Sequence, residues 1–174
     1  LTINPWLGID SLEPFFKKAY ETGSGLFILA HTSNEGSKDI QEMPLANDIK
    51  CYEHLANILK PIVENHKGTL GLSSIGVVAG ATFKEDSVSL RKTLPSAPFL
   101  VPGYGSQGAS AQDACAALIP DTTELGLKNF GLVNASRSIL FSEGASLANS
   151  VEEWQEIILA KINTTNNELK NLNY

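Results

Sequence analysis

Gly25-Leu26-Phe27-Ile28-Leu29-Ala30 carries no polar side chain and gives way at once to His31-Thr32-Ser33-Asn34. A half-exposed strand would alternate apolar and polar residues, so an unbroken run of this length predicts a strand buried on both faces, as in a parallel sheet. The same grammar recurs on either side. Upstream, Leu1-Thr2-Ile3-Asn4 reads as a strand and Pro5-Trp6-Leu7-Gly8 as a turn. Asp10 and Glu13 there have the spacing of a capping box. Leu12, Phe15, Phe16, Ala19 and Tyr20 follow at helical spacing, with Gly23 as the closing residue. Downstream, Ile49, Tyr52, Leu55, Ala56, Leu59, Ile62 and Val63 form one helical stripe, which Pro61 is placed to kink.

Ile75-Gly76-Val77-Val78-Ala79 is the next buried strand, with a helix expected over 85–94. Pro98-Phe99-Leu100-Val101-Pro102 leads into Gly103-Tyr104-Gly105-Ser106-Gln107-Gly108 and a helix expected to run to Leu118. Gly131-Leu132-Val133-Asn134 is the last strand, and a helix is expected over 151–170, although residues 163–174 are markedly polar. Strands alternating with helices imply α/β architecture, either a doubly wound sheet or part of a (β/α)₈ TIM barrel. Units of about 35 residues favour the barrel, whose eight units total ~250 residues. No linker interrupts the pattern, so residues 1–174 read as one domain. The chain opens directly in a strand, which suggests a start within a domain.

The composition is that of a globular chain: 174 residues, 43% hydrophobic and 18% charged, too apolar for a disordered protein. With 13 Lys+Arg against 19 Asp+Glu, a net charge of −6 and no basic cluster, nucleic acid and anionic membrane surfaces are not expected partners. No apolar run reaches the roughly 18 residues of a membrane span, and no signal peptide is expected. Cys51 and Cys115 fit no zinc or redox spacing and are expected as reduced thiols in a cytoplasmic protein. His31, His54 and His66 are scattered without metal spacing, so no metal is expected, and His31 reads as structural.

Polar residues collect directly behind the strands: Asn4, then Thr32, Ser33 and Asn34, then Thr82, Gln107, and finally Ser136 and Arg137. In a parallel β/α fold these positions share the face that carries the active site. The three glycines of the 103–108 segment let backbone approach a ligand and leave N–H groups free for an anion. Arg137 closes the following strand and adds a planar fork suited to phosphate. A phosphate clamp is thus legible, while no acid, base or nucleophile is evident.

Thr2-Ile3-Asn4-Pro5-Trp6-Leu7-Gly8, Thr32-Ser33-Asn34, Val77-Val78-Ala79-Gly80-Ala81-Thr82, Pro102-Gly103-Tyr104-Gly105-Ser106-Gln107-Gly108 and Asn134-Ala135-Ser136-Arg137-Ser138-Ile139 resemble, in order and spacing, the orotidine 5′-phosphate decarboxylases. The likeness is to the bacterial branch with Thr-Ser-Asn and Pro-Gly-Tyr-Gly motifs. It implies a (β/α)₈ barrel of which this chain holds strands 4 to 8. It also implies conversion of orotidine 5′-monophosphate to uridine 5′-monophosphate in pyrimidine biosynthesis, without metal or organic cofactor, by a homodimer.

By that resemblance Ser33 meets the pyrimidine, Gln107, the Gly108 backbone and Arg137 grip the phosphate, and Pro102 and Gly103 form the pocket wall. Thr32, Asn34 and Ser136 are neighbours. The family's catalytic Lys and its Asp partners belong to an Asp-x-Lys-x-x-Asp motif that the resemblance puts before Leu1, so no catalytic residue is expected here. Two alternatives remain: a phosphate-binding half-barrel without catalysis, and another phosphate-binding barrel enzyme.

Overall fold

The structure, a computed structural model, describes residues 1–118 and 131–172. Five strands form one sheet: β1 (Thr2–Ile3), β2 (Leu26–His31), β3 (Ile75–Ala79), β4 (Phe99–Pro102) and β5 (Gly131–Asn134). Each lies parallel to the next in the order β1-β2-β3-β4-β5. A doubly wound sheet reverses its strand order at a switch point, whereas a barrel adds each strand beside the last. The observed order is that of a barrel. Among the described residues the sheet is open, with β1 pairing only to β2 and β5 only to β4.

The connecting helices are α1 (Glu13–Thr22), α2 (Cys51–Asn65), α3 (Lys84–Thr93) and α4 (Ala111–Cys115), with α5 (Arg137–Leu140) and α6 (Val151–Lys170) after β5. Alternate strand residues, Leu26, Ile28 and Ala30, then Ile75, Val77 and Ala79, then Phe99 and Val101, join one core with Leu12, Phe16, Ala56, Leu59, Val63, Leu90 and Leu94 from the helical layer. The other sheet face is less covered: Phe27, Leu29 and Leu100 are half-buried and Leu132 is 62% exposed.

Several expectations are corrected. Asp10 lies in a short 3₁₀ turn, Leu12 stands at the N-cap of α1, and no side chain caps that helix. Tyr20 continues the helical spacing yet points outward, 81% exposed, because the packed stripe consists of Leu12, Phe16 and Ala19. α4 stops at Cys115 rather than Leu118. The helix expected over 151–170 is found as α6, which runs through Lys170 despite the polar character of residues 163–174. Gly23 does close α1 in the left-handed conformation, φ 65°, as its position implies.

Arg91 of α3 fixes the entry to β4 from inside. It is buried, its Nε donates to Ala117 O (2.8 Å) and its Nη1 to Ala97 O (2.7 Å), and its guanidinium lies 3.7 Å over the Phe99 ring. Burial lowers its pKa to about 10.

Candidate functional site

Because the strands are parallel and in sequential order, the residues that follow them emerge at one end of the sheet, and Ser33 sits where three of those ends meet. The Thr82 hydroxyl, behind β3, donates to Ser33 O (3.0 Å). A Cβ on Gly80 would lie 2.7 Å from Ser33 Cα, and one on Gly103 would lie 2.9 Å from Ser33 Cβ. Glycine is required at both places, at Gly80 by the close approach and at Gly103 also by φ +108°. A cleft of about 320 Å³ opens beside Ser33, lined by Asn34, Glu35, Lys38, Thr82, Phe83 and Gln107.

Thr32 is already engaged. Its N–H donates to Gln41 Oε1 (2.8 Å), its hydroxyl donates to Asn34 Oδ1 (2.7 Å), and Gln41 Nε2 donates back to the hydroxyl (3.0 Å). Thr32 therefore shapes the loop, while Ser33 is the residue brought to the cleft. Gln41 had no signal in the sequence, since a contact across nine residues of irregular chain leaves no periodic trace.

The glycine loop differs from expectation in its donors. The N–H groups of Gly105, Gly108 and Ala109 bond to Ala109 O, Gly105 O and Gly103 O within the loop itself. At the tip, the backbone N–H groups of Ser106 and Gln107 lie outside that internal set. The loop is anchored from behind by the buried Tyr104, whose hydroxyl donates to Glu168 of α6 in a short hydrogen bond.

Pro102 ends β4, and Ala81 N donates to its carbonyl (2.8 Å), tying the wall of the cleft to β3. Ser136 and Arg137 lie behind β5, both exposed, and neither lines the cleft beside Ser33. Contact between the two regions runs instead through Gly105, where a Cβ would meet Ser138 Oγ at 2.7 Å. A larger cavity of about 570 Å³ lies between the 4–9 turn and α2. Its lining is mainly apolar, with Trp6, Ile40 and Leu55, and of the polar residues expected at the site it takes in Asn4 and Asn34.

Directly under the loop is a group the sequence did not announce. His31 is fully buried, its ring stacked between Tyr52 (4.6 Å, 8°) and Phe83 (4.4 Å, 28°). Nε2 lies 3.7 Å from Glu42 Oε1 and Nδ1 3.7 Å from Asp86 Oδ2, and neither nitrogen has a hydrogen-bond partner. Lys50 bridges the outer carboxylate oxygens at 3.5 and 3.3 Å, and the Tyr52 hydroxyl donates to Asp86 (2.7 Å). Burial lowers the His31 pKa from its ordinary 6.5, against the opposing pull of Asp86 and Glu42. His31, Glu42 and Asp86 form the one gathering of metal-ligating types among the described residues. One ligand atom of each lies within 4.8 Å of the others, and the Lys50 ammonium already pairs with both carboxylates. Neither Cys51 nor Cys115 is disulfide-bonded. Among the described residues no helix is long and apolar enough to cross a membrane.

Residues 1–152 match the family described as Orotidine 5'-phosphate decarboxylase / HUMPS family. The orotidine 5'-phosphate decarboxylase of Clostridium tetani is 42% identical over 144 residues, covering 82% of this chain and 47% of that protein. The enzyme of the same name from Rhodopirellula baltica is 36% identical over 173 residues, covering 98% of this chain and 55% of its own length. The solved OMP decarboxylase of Leishmania donovani superposes with a TM-score of 0.64 at 26% identity, over 97% of this chain and 56% of that one. The chain thus spans about half the length of the curated relatives it matches.

Proposed function

This chain belongs to the orotidine 5'-phosphate decarboxylase / HUMPS family, and we propose on that premise that its complete protein converts orotidine 5′-monophosphate to uridine 5′-monophosphate and carbon dioxide. The chain supplies the half of one barrel domain that binds pyrimidine and phosphate. The observation that carries this reading is the convergence of Ser33, Thr82 and Gln107 on one cleft at the ends of three parallel strands.

Ser33 hydrogen-bonds the pyrimidine, with Asn34 beside it and Pro102 and Gly103 as the wall. Gln107 and the backbone N–H groups at the tip of the glycine loop, those of Ser106 and Gln107 rather than that of Gly108, hold the phosphate, and Arg137, with Ser136, closes on it from β5. Loss of the carboxylate leaves carbanion character on the pyrimidine, which needs a preorganised cation and then a proton. The family's Lys motif provides both and is absent from this sequence. What these residues provide is orientation, together with remote binding energy that the phosphate grip lends to the chemical step. No metal or organic cofactor enters the reaction. The complete protein acts as a cytoplasmic homodimer.

The test is carbon dioxide release from orotidine monophosphate by the complete protein and its Ser33→Ala variant. Turnover that falls about 5- to 150-fold in kcat/KM on loss of the hydroxyl is expected, roughly 1 to 3 kcal/mol of barrier. No turnover, or a variant equal to the parent protein, would contradict the reading.

A further inference from the structure

His31 combines three properties that do not suit a neutral, merely space-filling ring. It is wholly buried, both nitrogens lack partners, and each faces a carboxylate oxygen at 3.7 Å. A neutral imidazole has one N–H and one lone pair, so one nitrogen must present its lone pair to a carboxylate. At 3.7 Å the gap is too short for a bridging water and somewhat too long for a hydrogen bond. Glu42 and Asp86 balanced by Lys50 leave one net negative charge around the ring, which a single proton cancels. The other groups near the ring are Tyr52 of α2, whose hydroxyl donates to Asp86, and Lys38, which lies 5.5 Å over the far ring of Phe83. From β3 the uncharged Ala79 pairs with His31, and Gly80 just after it donates its N–H to His31 O (2.8 Å).

The two carboxylates are attached to the very segments that hold the loop above. Glu42 follows Gln41, which grips Thr32 through its N–H and hydroxyl. Asp86 lies in the first turn of α3, just after Thr82, which holds Ser33 O. We propose that His31 is the positioning residue of the Thr32-Ser33-Asn34 loop: on taking up a proton its ring donates to Glu42 and Asp86 together and draws inward the segments that grip Thr32 and Ser33. The stacked Tyr52 and Phe83 keep the ring plane fixed, so that both N–H groups aim at the carboxylates. The proton is taken up below the ordinary pKa of 6.5, since burial opposes the charge. The kinetic part of the proposal rests on the decarboxylase reading, while the structural part does not.

The experiment uses the complete protein in two readouts. In the first, the His31 ring and the backbone amides of Thr32 and Ser33 are followed by NMR from pH 4.5 to 8.5. The ring is expected to titrate below pH 6.5, the amides to move with the same midpoint, and Glu42→Gln to lower that midpoint further. In the second, kcat/KM is compared with that of His31→Arg, whose planar, permanently charged guanidinium can occupy the space between the two rings and donate to both carboxylates. The ratio of parent protein to His31→Arg cancels the titration of the substrate. It is expected to fall about tenfold as pH rises through the His31 midpoint, the loss of about one charge-assisted hydrogen bond. A ring that does not titrate, amides that stay still while it does, or a ratio independent of pH would each overturn the proposal. A protein that turns over no orotidine monophosphate would refute the decarboxylase reading, and the amide titration would still decide the role of His31.

Discussion

Three glycines around the cleft separate two physical effects, and their alanine variants are expected to rank accordingly. Gly108 has φ +95° with nothing within 4 Å of a built Cβ, so Gly108→Ala incurs only the left-handed backbone penalty, about 1 to 2 kcal/mol. Gly80 lies outside the left-handed region, but its Cβ would meet Ser33 backbone atoms at 2.7 and 2.8 Å. Gly80→Ala is therefore an overpacking change of about 1 to 3 kcal/mol. Gly103 combines φ +108° with a 2.9 Å approach to Ser33 Cβ and 3.3 Å to Thr82 Cγ2, and the two effects sum to about 2 to 5 kcal/mol. Urea unfolding of the complete protein reads these differences, since a slope of about 1 to 3 kcal/mol per molar converts them into well-separated midpoints. Gly80→Ala is also expected to weaken uridine monophosphate binding, because the backbone that must yield belongs to Ser33. If Gly108→Ala destabilises as much as Gly103→Ala, or Gly80→Ala leaves both stability and affinity unchanged, Ser33 is not the packed hub described here.

Arg137→Ala is expected to weaken uridine monophosphate binding by about 1.5 to 3 kcal/mol and leave uridine binding unaltered, by calorimetry; equal losses would remove Arg137 from the phosphate grip. Arg91→Met deletes a buried guanidinium and leaves the Ala97 and Ala117 carbonyls without their donor, at about 3 to 5 kcal/mol of stability. A loss under about 1 kcal/mol in urea unfolding would contradict the role given to it. Burial, with donation to Glu168, pushes the Tyr104 pKa up to about 12 from 10. A raised pKa makes its stabilisation complete below pH 10 and lost as pH rises through about 12. Tyr104→Phe is expected to reduce the alkaline loss of stability, and superimposable alkaline profiles would count against that contact.

The strands were legible because burial on both faces imposes an apolar run, as in Leu26 to Ala30, and sequential pairing follows from the β/α alternation. Ser33 and the glycine loop were legible as positions behind strands, which a parallel fold gathers at one end. The internal hydrogen bonds of the loop were not, because three glycines indicate unusual dihedrals without saying which N–H groups the loop consumes. The His31 cluster was invisible for a related reason. Glu42, Lys50 and Asp86 lie in irregular chain or a first helical turn, where a charged residue looks like any solvated one. Only the packing of Phe83 and Tyr52 over the His31 ring turns them toward one buried point.

The central claim, that this rim is the pyrimidine and phosphate half of a decarboxylase site, is tested most directly by a crystal structure of the complete protein with uridine 5′-monophosphate. The account requires the pyrimidine within hydrogen-bond distance of Ser33 Oγ and the phosphate on Gln107, the N–H groups of the loop tip and Arg137. A nucleotide seated in the apolar cavity between the 4–9 turn and α2, or a phosphate away from both Gln107 and Arg137, would contradict it.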